Sequence, residues 1–174
     1  MPLRPYRMPD GSVIFAGKDT VFRPVDRIDP HDVVEKHFCI TAQEGDIPGA
    51  NAWLEECIFQ LPFEHGQLVD FSIAVSEAVR NAVQHGLRSA ERQVDISIFY
   101  VPKVILLVGI TDDLGPLKIE DIRLDVADEQ GNPSLDTHGR GFYIMCALTS
   151  MVAYIPDDNS RLKELFLALV PKPD

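Results

Sequence analysis

The segment SIAVSEAVRNAVQHG, Ser72–Gly86, has the apolar repeat of an amphipathic helix. Apolar residues recur at intervals of three and four, which predicts a helix over about 67–85. Gly86 suits the left-handed position that commonly ends a helix. One stripe along the helix is apolar and is expected to face a core: Phe71, Val75, Ala78, Val79 and Ala82. The segment therefore predicts a core helix to which other elements attach.

A row of polar residues runs beside that stripe. Glu77, Asn81 and His85 stand four residues apart, and each step of four turns only about 40° around a helix. At the edge of a cleft, a carboxylate there can accept a proton from a nucleophile, and an amide oxygen can ligate Mg²⁺. The alternative is an ordinary polar flank, with His85 favoured by the dipole at the helix end. The helix alone leaves both interpretations open.

A second motif, ITDDLGPL, follows the apolar run KVILLVGIT, which predicts an interior strand. Asp113 at the strand end can accept a hydrogen bond from an exocyclic amine. Gly115 lets the backbone turn sharply and lets a flat ligand come close. Strands also commonly end in Asp and Gly because these residues form turns. The motif alone therefore does not decide between a ligand-binding site and an ordinary turn.

A third motif, HGRGFYIM, places Gly139, Arg140 and Gly141 at the predicted start of a helix. Free backbone N–H groups and the helix dipole make such a position suitable for phosphate. Arg140 could add positive charge or face a protein partner. The spacing matches neither the Walker loop nor the dinucleotide fingerprint, and a plain loop-to-helix turn is the alternative.

The order of predicted elements gives the fold class. Predicted strands follow one another in pairs along the chain, and two predicted helices are also consecutive. This order favours an α+β sandwich with helices on one sheet face. The predicted elements are a strand (33–43), two helices (46–60 and 67–85), two strands (93–101 and 103–111), a long loop with a weak helix near 120–126, a helix from 139, and two strands (151–155 and 161–170). A loop this long in a compact domain is usually functional.

Residues 1–32 differ from the rest and are taken as an N-terminal β-rich extension of a domain spanning 33–174. Two short β-type runs, Ser12–Ala16 and Thr20–Pro24, are joined by GKD. They predict a hairpin that packs on the domain or pairs with another chain.

Composition excludes several classes of function. Net charge is −11 over 174 residues, and Lys and Arg are spread singly, so direct nucleic-acid binding is not expected. No membrane span or signal peptide is expected. The three cysteines, Cys39, Cys57 and Cys146, are far apart and predict reduced, buried thiols in a cytoplasmic protein. The scattered histidines suggest no metal cluster.

In this order, the three motifs resemble the nucleotide-binding site of the GHKL superfamily, the Bergerat fold of gyrase B, MutL and histidine kinases. EAVRNAVQH looks like its N box, DDLGP its G1 box and HGRGFYIM its G2 box. The small size and the MVAY ending are most similar to the anti-sigma-factor serine/threonine kinases of bacterial partner-switching systems. The resemblance covers about 33–170 and implies a two-layer sandwich with a mixed β-sheet and helices on one face.

The resemblance also implies a role for each site residue. Glu77 would be the general base toward a protein Ser or Thr hydroxyl, and Asn81 would hold the Mg²⁺ of bound ATP. Asp113 would read the adenine amino group. The remaining residues would line the pocket: His85 near the phosphates or ribose, Gly115 beside the base, and Gly139, Arg140 and Gly141 at the phosphates.

The implied activity is phosphorylation of a STAS-type antagonist together with sequestration of a sigma factor or another regulatory target. The resemblance also implies a homodimer. The chain departs from the family at Gly115-Pro116-Leu117, where a second glycine is usual, and in its last strand, which lacks Gly-Thr. Two alternatives therefore stay open: a non-catalytic nucleotide-binding switch, and an interaction protein without nucleotide.

Overall fold

The computed structural model describes residues 5–7, 9, 13–16, 28–41, 43–84, 93–112, 140–156 and 163–172. Within them lie seven strands and three α-helices, in the order β1 (Pro5–Arg7), β2 (Val13–Ala16), β3 (Val34–Thr41), α1 (Ile47–Ile58), α2 (His65–Gln84), β4 (Gln93–Val101), β5 (Ile105–Asp112), α3 (Arg140–Leu148), β6 (Met151–Pro156) and β7 (Lys163–Leu169). The predicted strands and helices from 33 onward are confirmed to within a few residues, except the weak helix near 120–126, which lies outside the described residues.

The strands form one sheet in the order β1-β2-β6-β7-β5-β4-β3. Every described pairing is antiparallel, so the α+β class is confirmed but the sheet is not mixed. Two successive helices separate β3 from β4 in the chain, and these two strands pair antiparallel. β5 and β6 run the same way, but β7 lies between them. The pairings that a parallel sheet would need are therefore absent among these strands.

The sheet buries one face beneath the helices. Alternate residues of β4 are buried: Val94, Ile96, Ile98 and Tyr100. α2 lies over β4, β5 and β7. All five residues of its predicted apolar stripe are at most 2% exposed. Complete burial of a Val or Phe side chain stabilises the fold by about 1.5–3 kcal/mol. The stripe thus fixes how α2 is rotated on the sheet.

α1 and α3 flank α2 on the same layer. Pro48 lies in the first turn of α1, where its missing N–H removes no helical hydrogen bond. Trp53 of α1 stacks on Phe38 of β3, with ring centroids 4.9 Å apart. α3 contacts α2 and β6. None of the described helices is long and apolar enough to cross a membrane.

The N-terminal hairpin forms between strands other than those predicted. β2 agrees with the predicted run at 12–16, but its partner is β1, and the turn-type sequence Pro9-Asp10-Gly11 stands between the two strands in the chain. The run at 20–24 lies outside the described residues. β2 pairs with β6, so the hairpin extends the domain's own sheet. The boundary between 32 and 33 remains a prediction.

The cysteine prediction is confirmed for two of three residues. All three thiols are free, and Cys57 and Cys146 are buried. Burial raises the pKa of the Cys146 thiol to about 12, so it stays protonated. The prediction is wrong for Cys39, which is exposed, because it alternates with the buried Ile40 and points away from the helices.

The open face of the sheet contains a close contact between Gly109 and an aromatic ring. Gly109 of β5 is paired with Phe166 of β7. A Cβ placed on Gly109 would lie 2.8 Å from Phe166 Cε1 and 3.2 Å from Cδ1. The absence of a side chain at Gly109 therefore lets the Phe166 ring lie close to the strand, which is a frequent role of glycine in a sheet.

Gly109→Ala should destabilise the protein by about 1–3 kcal/mol, because the added methyl group overpacks against Phe166. Urea denaturation measures the effect. Gly66→Ala in α2 is the matched control, since nothing lies within 4 Å of a Cβ there, and it should be neutral or slightly stabilising. A Phe166→Ala background should remove most of the cost. An equal cost in both backgrounds would contradict the ring contact.

Candidate nucleotide and phosphoryl-transfer site

α2 presents Glu77 and Asn81 along the edge of its buried stripe. Both residues are half-buried. Around the helix axis they lie between the buried Ala78 on one side and the exposed Arg80 on the other. The Glu77 side chain is 20% exposed. The predicted placement of this pair on the flank of a core helix is confirmed. A carboxylate and an amide at such a boundary remain reachable by a ligand while the helix beneath them is held rigidly.

The start of α3 lies against this polar flank. A Cβ on Gly141 would be 2.8 Å from Asn81 Nδ2, 3.3 Å from Asn81 Oδ1 and 3.4 Å from Glu77 Oε2. Gly141 follows Arg140, the first residue of the helix. Because Gly141 has no side chain, the first turn of the helix can lie close to both Asn81 and Glu77. The first turn of α3 thus lies beside a carboxylate and an amide.

The contact joins two of the three sequence motifs, although they are about sixty residues apart in the chain. Glu77 and Asn81 belong to the first motif, and Gly141 belongs to the third. The backbone of Arg140 begins α3, but its side chain is not described. His85, Asp113, Gly115 and Gly139 lie outside the described residues, and their assigned roles remain predictions.

Arg80 is a residue at this site that the sequence patterns did not single out. Its Nη1 forms an ion pair with Glu77 Oε1 across one helical turn. The Arg80 side chain is 45% exposed, on the outer side of α2. The available signal was the EAVR spacing, since residues three apart on a helix are neighbours. That spacing is so common on helix surfaces that it does not mark a functional residue.

The donor atoms at the junction suit a hard cation and phosphate. Carboxylate and amide oxygens are ligands of the kind Mg²⁺ prefers, and Mg²⁺ usually takes only one or two protein ligands together with substrate phosphates. Helix α3 has nine residues, and the partial positive charge at its N-terminus favours a nearby anion. The residues present therefore fit a magnesium–nucleotide complex, in which Asn81 would be the protein ligand and the start of α3 would face the phosphates.

A second polar cluster lies on the open face of the sheet. His37 Nδ1 hydrogen-bonds Ser97 Oγ at 3.0 Å, and His37 Nε2 hydrogen-bonds Glu35 Oε1 at 2.6 Å. The order of groups is that of a hydrolytic triad, yet Ser97 lies in mid-strand between the paired strands β3 and β5. The ladder occupies the backbone N–H groups that an oxyanion hole would need. The cluster is thus a surface hydrogen-bond network.

Gly141→Ala should displace either the Asn81 amide or the first turn of α3, with a loss of stability of about 1–3 kcal/mol. The side-chain amide resonance of Asn81 in ¹⁵N-labelled protein reports the displacement directly. Gly49→Ala in α1 is the control, because a Cβ there meets nothing within 4 Å. An unmoved Asn81 resonance in a stable Gly141→Ala protein would contradict the contact.

Comparisons with known proteins give the family and the fold. The model of the histidine kinase-like ATPase domain matches residues 40–164. Among solved structures, the crystal structure of the RsbU and RsbW domains of Rv1364c from Mycobacterium tuberculosis has the same fold, with a TM-score of 0.57 and 17% sequence identity. The likeness covers 80% of this chain and 33% of that one, so this chain spans about one third of its length. No curated protein matches.

The family match covers most of the chain and includes both residues of the α2 flank and the start of α3. The GHKL resemblance of the three motifs is therefore confirmed, and the chain belongs to the histidine kinase-like ATPase domain family.

Proposed function

We propose that this protein is an ATP-dependent serine/threonine protein kinase that also sequesters a regulatory target protein. The single observation that carries the proposal is the contact of Gly141 with Asn81 and Glu77. It brings together an amide, a carboxylate and a helix start, the groups proposed to hold the metal, to accept the proton and to face the phosphates. Phosphoryl transfer needs mainly this combination, since positioning and charge neutralisation supply most of its catalysis.

Each described residue has a definite part in the proposed reaction. Asn81 would hold Mg²⁺, and the metal would supply neutralisation of phosphate charge. The Glu77 carboxylate accepts the proton of a Ser or Thr hydroxyl as that oxygen bonds to the γ-phosphorus of ATP. The bond from that phosphorus to the ADP oxygen breaks, and ADP leaves with its electron pair. The products are ADP, a phosphorylated protein and a protonated Glu77 that returns its proton to solvent.

The proposed protein substrate is a STAS-type antagonist, and the proposed target is a sigma factor or another regulator. Phosphorylation would release the antagonist and free the kinase to hold its target. Family membership and the fold likeness to a chain with RsbU and RsbW domains support this direction. The proposed partners imply a cytoplasmic protein, and a homodimer is part of the same proposal. His85, Asp113, Gly115, Gly139 and Arg140 keep their proposed places in the nucleotide pocket.

A non-catalytic nucleotide-binding switch is the second candidate. Two observations favour it: Pro116 replaces a flexible lid position with a rigid one that lacks an N–H donor, and Arg80 already occupies one oxygen of Glu77. The two candidates differ in one measurable step. Both predict nucleotide binding, but only the kinase transfers phosphate to a protein.

Asn81→Ala should lower the affinity for Mg-ATP by about tenfold or more, or about 1.4 kcal/mol, because the metal loses a protein ligand. Calorimetric titration with and without Mg²⁺ measures the change. The fold should persist, since Asn81 is only half-buried and alanine favours a helix. Unfolding of the variant would instead show that Asn81 is structural, and unchanged Mg²⁺-dependent affinity would remove it from the site.

Glu77→Gln should reduce phosphate transfer to a protein antagonist by about 10²–10⁴-fold, because the amide cannot accept the hydroxyl proton. Mg-ATP affinity should remain close to that of the unmodified protein. Transfer from γ-³²P-ATP to purified candidate antagonists gives the rate, and Glu64→Gln, far from the site in an exposed ion pair, is the charge-matched control. Equal rates for Glu77→Gln and the control would favour the switch.

A further inference from the structure

The carboxylate of Glu77 is held between two elements. Oε1 pairs with Arg80 on the outer side of α2, and Oε2 points toward Gly141 at the start of α3. The two oxygens of one group therefore have different environments. One is occupied by a guanidinium, and the other faces the junction where Asn81 lies.

We infer that Arg80 is a positioning residue that holds Glu77 in the rotamer in which Oε2, rather than Oε1, is presented to the hydroxyl of the protein substrate. The inference rests on the proposed function and adds a residue to it. Arg80 does not touch the reacting atoms; it acts through Glu77.

The physical need for such a residue comes from the length and exposure of the glutamate side chain. Glu77 has three rotatable bonds and lies on the edge of the helix, so packing alone leaves its terminal torsion broad. A planar guanidinium fixes a carboxylate more specifically than an ammonium does, because its donors form a rigid fork. Arg80 is tied to the same helix one turn away, so its reach to Glu77 is short and constant.

The same pair contributes little to folding. Arg80 and Glu77 are one helical turn apart, and the Arg80 side chain is nearly half exposed. Ion pairs of this kind stabilise a helix weakly and are screened by salt. An effect of Arg80 on reaction rate without an effect on stability would therefore have to pass through the position of Glu77.

The test compares Arg80→Gln and Arg80→Lys with Lys172→Gln. Lys172 forms an exposed ion pair with Glu64 away from the site, so its loss controls for the removal of one surface cation. Arg80→Gln should lower kcat for transfer to the antagonist by about three- to tenfold, the effect expected of freeing one immobilised side chain. KM for Mg-ATP and the melting temperature should match Lys172→Gln. Arg80→Lys should recover part of kcat.

Salt provides a readout that a purely structural role would not change. Raising KCl from about 50 mM to about 500 mM shortens the screening length to a few ångströms. The kcat of the unmodified protein should then fall toward that of Arg80→Gln, whereas kcat of Arg80→Gln should hardly respond beyond the change seen in Lys172→Gln. Equal kcat values in all variants, a change confined to KM, or a rise in kcat in Arg80→Gln would each overturn the inference.

A measurement without turnover separates this inference from the proposed function. Carbon–carbon couplings in ¹³C-labelled protein report the rotamers of Glu77 directly. They should indicate one dominant rotamer in the unmodified protein and averaging in Arg80→Gln. The same rotamer population in both proteins would overturn the role of Arg80 even if kinase activity is found. A single rotamer lost in Arg80→Gln, with no phosphate transfer by the unmodified protein, would leave the positioning role in place and reject only the kinase.

Discussion

The approach of Gly141 to Asn81 and Glu77 is the contact on which the site depends. Helix α3 reaches the polar flank of α2 only because its second residue has no side chain: a Cβ would be 2.8 Å from the Asn81 amide. With any larger residue, the helix start and the flank would have to separate by some fraction of an ångström or more. The field of a helix terminus falls off within its first turn, so the electrostatic value of the junction depends on this close approach.

The position of the flank depends in turn on the core. α2 is rotated by its apolar stripe, whose residues are almost completely buried. Each fully buried large aliphatic or aromatic side chain stabilises by about 1.5–3 kcal/mol, whereas a helix-surface ion pair contributes about 0.2–0.5 kcal/mol. Burial therefore decides the rotation, and the polar residues take the exposure that this rotation gives them. A site on the edge of a core helix gains rigidity from packing that it does not itself supply.

Local periodicity in the sequence was enough to predict most of the individual helices and strands. The stripe from Phe71 to Ala82 indicated a helix, and the spacing of Glu77 and Asn81 placed them on its flank. The strands from 33 onward were predicted because alternation and apolar runs are local signals. The antiparallel sheet was missed, because strand neighbours depend on where β7 is inserted, which no local pattern encodes. The β1 strand, three residues long, is too short for a period to be recognised.

The pairing of Arg80 with Glu77 shows a different limit. The residue types and spacing are visible in the sequence, but many surface helices have such pairs and most contribute little. Only the position of Gly141 on the other side of the carboxylate distinguishes this pair. A residue that acts through another is therefore recognised from the neighbours of its partner, which belong to a distant part of the chain.

Charge balance gives the junction its remaining constraint. The chain has a net charge of −11, and the proposed ligand is itself an anion, so a bare carboxylate at the junction would repel it. Two like unit charges 4 Å apart cost about 1 kcal/mol in water and about 4 kcal/mol at an effective dielectric constant of 20. The start of α3 offers partial positive charge on the inner side of the junction, whereas Arg80 pairs with Glu77 on the outer side of α2, away from the ligand. The carboxylate therefore meets the Arg80 guanidinium with Oε1 and the start of α3 with Oε2.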